Sequence, residues 1–376
     1  MAWLWVAMLV APFLLSFFLT RWMITLAPRI GLVDAPDARK FHARTTPLGG
    51  GLAISIAVLA SMLGVVLVAW SIQRVPSVAE RLPGAAATYA PGVLSKASEF
   101  GWIALAGLVQ MCLGLADDWR KGGLDYRFRL AVEVALVAFL ASQGITLKLF
   151  TVPPWAAGLI TVVWVVGLTN AVNFLDNMDG LAGSVVLVAS VFFAAVMALV
   201  GSLFVAASFL IVAGAVFGFL CYNWNPARIF MGDAGSNFLG FWLGMLTVLG
   251  TFIVVPYSPV TVFAPLCILA VPIYDSLSVI SLRLAQGRSP FQPDKQHFSH
   301  RLVMLGLSPV SAVLVIALVC VTTGLSGLLL YFIAPLQASA VAPLVVLQVV
   351  CMLGVVALLE VAAHRRLRNS QSTEPS

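Results

Sequence analysis

Hydrophobic residues run through this chain in stretches of about 20, the length a helix needs to cross a bilayer core, with short polar patches between them. Windows of that length predict eleven helices, near 2–20, 50–70, 100–116, 128–145, 155–172, 181–200, 203–222, 237–255, 260–282, 309–333 and 340–361. Only Gly201-Ser202 parts the sixth from the seventh. In lipid each backbone N–H and C=O must be satisfied within its own segment, so the predicted fold is all-α, a polytopic membrane protein. The predicted organisation is a single transmembrane domain over 1–361, interrupted by an outward loop at 71–99 and an inward loop at 283–308, with a polar, disordered tail at 362–376. The loop at 71–99, rich in Ala, Pro and Ser, reads as a periplasmic hairpin or short helix.

Composition agrees: 61% of the 376 residues are hydrophobic and 10% are charged, which takes the chain out of the soluble class. The five cysteines lie singly in apolar stretches, without the spacing of a disulfide framework or a zinc site. The first basic residue, Arg21, follows the first apolar stretch, which reverses the charge order of a signal peptide, so that helix is expected to be retained. Placing the N-terminus outside leaves only Arg74, Arg81, Lys96 and Lys148 on the outward side and puts 17 of the 21 Lys and Arg inside. The net charge of +6 thereby reports orientation and contact with anionic lipid rather than nucleic-acid binding.

The same topology changes the meaning of the acids. Of 15 Asp and Glu, only Glu80 and Glu99 fall outside, and most of the others gather at inward helix ends. Carboxylates at membrane depth are costly and face a partner or a wet cavity, so each is a candidate for function. Asp117-Asp118 end the third span, and two adjacent carboxylates ionise together only when a cation neutralises them. Asn170, Asn173, Asp176 and Asp179 recur every three residues, which predicts one polar wall on a helical turn, and Gly180 then opens the next span. Asp233 sits between glycines in Phe230-Met231-Gly232-Asp233-Ala234-Gly235-Ser236, ahead of a helix N-terminus where backbone N–H groups meet phosphate oxygens, with Phe230 suited to stack on a planar base. His297 and His300, followed by Arg301, suit a pyrophosphate better than a metal. Arg44 lies in a basic run before Thr46-Pro47-Leu48-Gly49-Gly50-Gly51 that could line a phosphate entrance.

At these residues the chain resembles the polyprenyl-phosphate N-acetylhexosamine-1-phosphate transferases, over about residues 1 to 335, with five motifs in the family's order. They are Thr46 to Gly50, Asp117-Asp118, Asn170 to Gly180, Phe230 to Ser236, and the His297 to His300 loop. Two positions depart from the family pattern: Asn177 stands where Gly is usual and Ser299 where a histidine is usual. Phe291 to Lys295 looks more like the N-acetylglucosamine branch than the pentapeptide branch.

The resemblance implies a catalytic role for Asp117 and Asp118 at the lipid phosphate, and Mg²⁺, or Mn²⁺ in its place, on Asp233. It implies Asn173, Asp176, Asp179, Asn223 and Phe230 around the nucleotide, and Arg44, His297, His300 and Arg301 at the pyrophosphate or sugar. The expected reaction moves N-acetylhexosamine 1-phosphate, of the N-acetylglucosamine type, from a UDP-sugar to undecaprenyl phosphate and releases UMP. It would be the first membrane step of a cell-envelope polysaccharide, at the cytoplasmic face of the bacterial inner membrane, and the resemblance suggests a homodimer. Two rival readings explain less. An intramembrane prenyltransferase leaves Phe230 to Ser236 unaccounted for, and a secondary transporter predicts internal repeats and midplane charges, of which only Asp275 is an example.

Overall fold

The apolar stretches fold as helices in the computed structural model, which describes residues 2–34, 45–75, 77, 84–120, 122–148, 152–252, 259–289, 297–333 and 338–371. The chain divides into two units, Met1–Thr251 and Phe252–Ser376. In the first lie α1 (Ala2–Leu26), α2 (Gly50–Arg74), α3 (Gly84–Ser95), α4 (Ala97–Trp119), α5 (Tyr126–Ser142), α6 (Pro154–Leu175), α7 (Leu181–Leu199), α8 (Leu203–Asn223) and α9 (Gly232–Leu249). A two-residue strand, Val33–Asp34, pairs antiparallel with Thr46–Pro47. The second unit contains α10 (Ala264–Ile268), α11 (Ala270–Ala285), α12 (Phe298–Met304), α13 (Pro309–Leu329) and α14 (Ala338–Gln371).

Each of the eleven predicted stretches overlaps a helix, but among the described residues eight helices are long and apolar enough to cross a membrane, or nine if one bent pair counts as a span. Helix α5 is short at 17 residues, and α9 opens with the polar Gly232-Asp233-Ala234-Gly235-Ser236-Asn237. The bent pair replaces the single span expected at 260–282: Pro259–Ile268 and Ala270–Ala285 meet at 65°. Pro272 in the first turn of α11 has no N–H to offer the preceding turn, which favours a break there. The loop expected at 71–99 contains the short helix α3, whose Ala90 packs on Ala69 and Ile72 of α2. Residues read as a disordered tail continue α14 to Gln371, since Leu, Arg and Gln are good helix formers.

Lipid gives helices no hydrophobic reason to associate, so close packing at small residues takes over. On α8, Gly214 and Gly218 lie four apart and face α1, where a Cβ would come within 2.2 Å of the Leu9 carbonyl oxygen and 2.4 Å of that of Phe13. Helix α9 is buried along almost its whole length by packing against α4 and α6. Its Gly240 meets the backbone of Leu168 and Thr169 on α6, and its Trp242 lies against Gly107 of α4. This central helix brings the C-terminal ends of α4 and α6 to its own N-terminus.

Candidate active site at the start of the central helix

Helix α9 begins at Gly232 with no side-chain cap of its own, because Met231 precedes it. Asp118, from the end of α4, supplies the cap from another helix: its two oxygens accept the N–H groups of Asp233 (2.9 Å) and Ala234 (3.0 Å). Gly232 adopts φ +70°, and a Cβ there would lie 2.5 Å from an Asp118 oxygen, so glycine is required on both counts. Gly114, one turn before Asp118, lets α4 approach the Asp233 carbonyl, which a Cβ would meet at 2.3 Å. The neighbouring Asp117 accepts the Leu124 N–H at 2.6 Å and pairs with Arg129 at 3.0 Å.

Arg129, which lies in none of the sequence motifs, enters the site from α5. Its guanidinium lies between Asp117 and Asp233 and hydrogen-bonds to the latter. Its Nε–H is buried and has no partner, an unmet donor inside a nest of carboxylates. Asn173 donates to the other Asp233 oxygen (3.0 Å) and to Ser236 (3.0 Å). Glu133, one turn beyond Arg129 on α5, is buried and accepts from Asn170 at 2.7 Å. The Arg129/Glu133 spacing of four inside an apolar segment was a legible signal for this pair.

The predicted four-membered wall divides here, because α6 ends at Leu175 and the helical period ends with it. Asn170 turns to Glu133, while Asn173 reaches Asp233. Asp176, just past the helix, accepts the Gly232 N–H. Withdrawal from water pushes the Asp176 carboxyl up to about 7, and the Asp233 charge adds to this. Asp179 accepts from the Asn225 side chain and the Ala227 N–H, both at 3.0 Å, and so ties the loop after α8 to the loop after α6. Asn223 pins the same two loops: Gly180 N–H donates to its oxygen at 3.0 Å and its amide donates to the Ile229 carbonyl at 2.9 Å. Phe230 continues that loop, and the N–H groups of Gly50 and Gly51 donate to the carbonyls of Phe230 (3.0 Å) and Met231 (2.9 Å).

Asn223 is buried, so Asn223→Ala leaves an N–H and a C=O unpaired, at about 1–3 kcal/mol each. The expected outcome is a clearly lower unfolding temperature in detergent, followed by intrinsic fluorescence; an unchanged temperature would show that these bonds do not hold the loops.

Of the other predicted residues, Arg44 lies outside the described residues. His297, His300 and Arg301 belong to the second unit and are buried there around α12.

Asp117, Asp118, Asp176 and Asp233 thus gather at one helix start, against the Arg129 guanidinium. Among the described residues no three of His, Cys, Asp and Glu converge closely enough to cage a metal by themselves. Mg²⁺ does not need such a cage, since it is commonly held by one or two carboxylates with water and substrate phosphate oxygens. The donors present are hard oxygens, so they fit Mg²⁺ or Mn²⁺ and not a thiolate-seeking metal.

Comparison with known proteins places this geometry in context. The family model described as glycosyl transferase family 4 matches residues 100–251, which include α4, α5, α6 and α9. The chain is 34% identical over 319 residues to the probable undecaprenyl-phosphate N-acetylglucosaminyl 1-phosphate transferase of Bacillus subtilis (strain 168), covering 81% of this chain and 79% of that protein. It is 32% identical over 334 residues to the decaprenyl-phosphate N-acetylglucosaminephosphotransferase of Mycolicibacterium smegmatis, covering 81% and 77%. It is 28% identical over 287 residues to the undecaprenyl-phosphate alpha-N-acetylglucosaminyl 1-phosphate transferase of Thermotoga maritima, covering 76% and 78%.

Proposed function

This chain belongs to the polyprenyl-phosphate N-acetylhexosamine-1-phosphate transferase family, and from that premise we propose that it moves N-acetylglucosamine 1-phosphate from UDP-N-acetylglucosamine to undecaprenyl phosphate. A lipid phosphate oxygen attacks the β-phosphorus of the nucleotide sugar, the bond from that phosphorus to the bridging oxygen breaks, and UMP leaves with the electron pair. The observation that carries this reading is the Arg129 guanidinium held between Asp117 and Asp233 with an unmet buried donor. Guanidinium prefers a bidentate anion, so an arriving pyrophosphate can take it over from the carboxylates.

Each residue then has separate work. Asp118 holds the start of α9 in place through two backbone N–H groups. Asn173 orients Asp233 through its amide. Asp233 would hold Mg²⁺ together with water and substrate phosphate oxygens. The ion would supply positive charge to the pyrophosphate oxygens as charge builds on the departing UMP. Asp179 and Asn223 shape the loops that lead to Phe230, on whose ring the uracil is proposed to stack. Arg44, His297, His300 and Arg301 are proposed to meet the pyrophosphate or sugar. The charge asymmetry of the loops supports an active site on the cytoplasmic face of a bacterial inner membrane, which is where UDP-sugars are made.

Purified protein given radiolabelled UDP-N-acetylglucosamine, undecaprenyl phosphate and Mg²⁺ is expected to form a lipid-extractable sugar and equimolar UMP. Chelation with EDTA should abolish both products, and added Mg²⁺ should restore them. No lipid-linked sugar from any UDP-N-acetylhexosamine would overturn the assignment.

A further inference from the structure

Asp275 has no part in the site described above, yet it is a fully buried carboxylate within an apolar helix. A charge in such a place is retained only where partners satisfy it, and its partners indicate its work. One oxygen lies 2.9 Å from His297 Nδ1, and the other accepts the Phe298 N–H at 2.6 Å. Three residues along α11, Ser278 accepts from the Arg301 guanidinium at 2.7 Å and itself donates to the Asp275 carbonyl at 3.0 Å. Tyr274 meets the Phe298 ring edge-on, with centroids 5.8 Å apart. One face of α11 therefore grips the beginning and middle of α12.

Helix α12 has only seven residues, and its N-cap, His297, makes no side-chain cap bond. A helix of that length does not persist alone. Asp275 replaces the missing cap from a neighbouring helix, and with Ser278 it sets the position of the segment that carries His297, His300 and Arg301.

We propose that Asp275 is a positioning residue for the transfer reaction, holding His297 by Nδ1 and so fixing its ring plane and tautomer. In this arrangement both Asp275 oxygens accept, as one of them does from the Phe298 N–H, and the proton of the shared bond sits on the ring nitrogen. The tautomer and the ring plane follow from that bond, as they do where a carboxylate orients a functional histidine. The functional part of this inference rests on the transferase reading; the pairing itself does not.

Two measurements test it. Nitrogen-15 NMR of histidine-labelled wild-type protein in detergent, with the His297 signal identified by its loss in His297→Gln, is expected to show protonation at Nδ1. A His297 ring protonated only at Nε2 would overturn the proposal, and this readout needs neither activity nor a folded Asp275 variant. In the transfer assay, Asp275→Asn is expected to lower kcat by roughly 10–100-fold with KM for the UDP-sugar little changed. Asp275→Glu should recover part of the loss. The Asp275→Asn, His297→Gln double variant should be no slower than His297→Gln alone. Losses that multiply in the double variant would mean that Asp275 does not act through His297. A wild-type protein without transfer activity would sink the transferase reading, and the NMR result would still decide the pairing.

Discussion

Asp233→Asn is expected to lower the rate of lipid-linked sugar formation by roughly 10³-fold while the protein keeps its unfolding temperature. Asparagine preserves the shape of the side chain and an oxygen for the Asn173 amide, so the start of α9 has no steric reason to move. The negative charge is what disappears. Arg129 then loses one of its two carboxylates, and the proposed Mg²⁺ site loses its central ligand. Asp117→Asn should be comparably slow, because Asp117 holds Arg129 from the opposite side. Initial rates with labelled UDP-sugar, beside thermal unfolding of each variant, make the comparison. Near-normal turnover by both variants would show that the reaction takes place elsewhere in the molecule.

Gly51→Ala should abolish transfer by a different route. A Cβ at residue 51 would sit 2.2 Å from the Gly235 nitrogen, 2.5 Å from its Cα and 2.7 Å from the Met231 carbonyl oxygen. All three are backbone atoms of the turn that carries Asp233, so no side chain can swing aside. Helix α2 must withdraw, and the Gly50 and Gly51 hydrogen bonds to Phe230 and Met231 are stretched or lost. Overpacking of this kind costs about 1–3 kcal/mol or more, and here the strain falls on the proposed site. A lower unfolding temperature and lost activity are expected together. Gly64 of the same helix provides the control, since nothing lies within 4 Å of a Cβ added there. Gly64→Ala should leave both properties unchanged, and an equal effect at the two glycines would show that the loss has another cause.

These expectations differ in how far they could be read from the sequence. Asp117, Asp118 and Asp233 were legible as candidates because acids in an apolar chain are few and expensive, and local context is enough to mark them. The separation of their roles was not legible. Asp118 accepts the first N–H groups of a helix 115 residues away, whereas Asp117 pairs with Arg129. The spacing of Arg129 and Glu133 marks Arg129 as unusual, but its bond to Asp233 spans 104 residues and no local pattern encodes that partner. Asp275 stood out as an intramembrane acid that suited a transporter, and its partner His297 became evident only with the packing of α11 against α12.

By itself the sequence determined that the chain is helical and lies in a membrane, and that acids collect at helix ends. Those features depend on hydropathy over one helix length and on charge counted loop by loop, and both are local. Tertiary structure decided which acid caps a helix, which pairs with Arg129 and which orients a histidine. It also decided that the stretch expected at 260–282 is two helical pieces meeting at 65° and that glycines at 51, 114 and 235 bring backbones together around Asp233. The physical reason is that a carboxylate's role is set by the donors that reach it. At this site most of those donors come from other helices, joined only when the chain has folded.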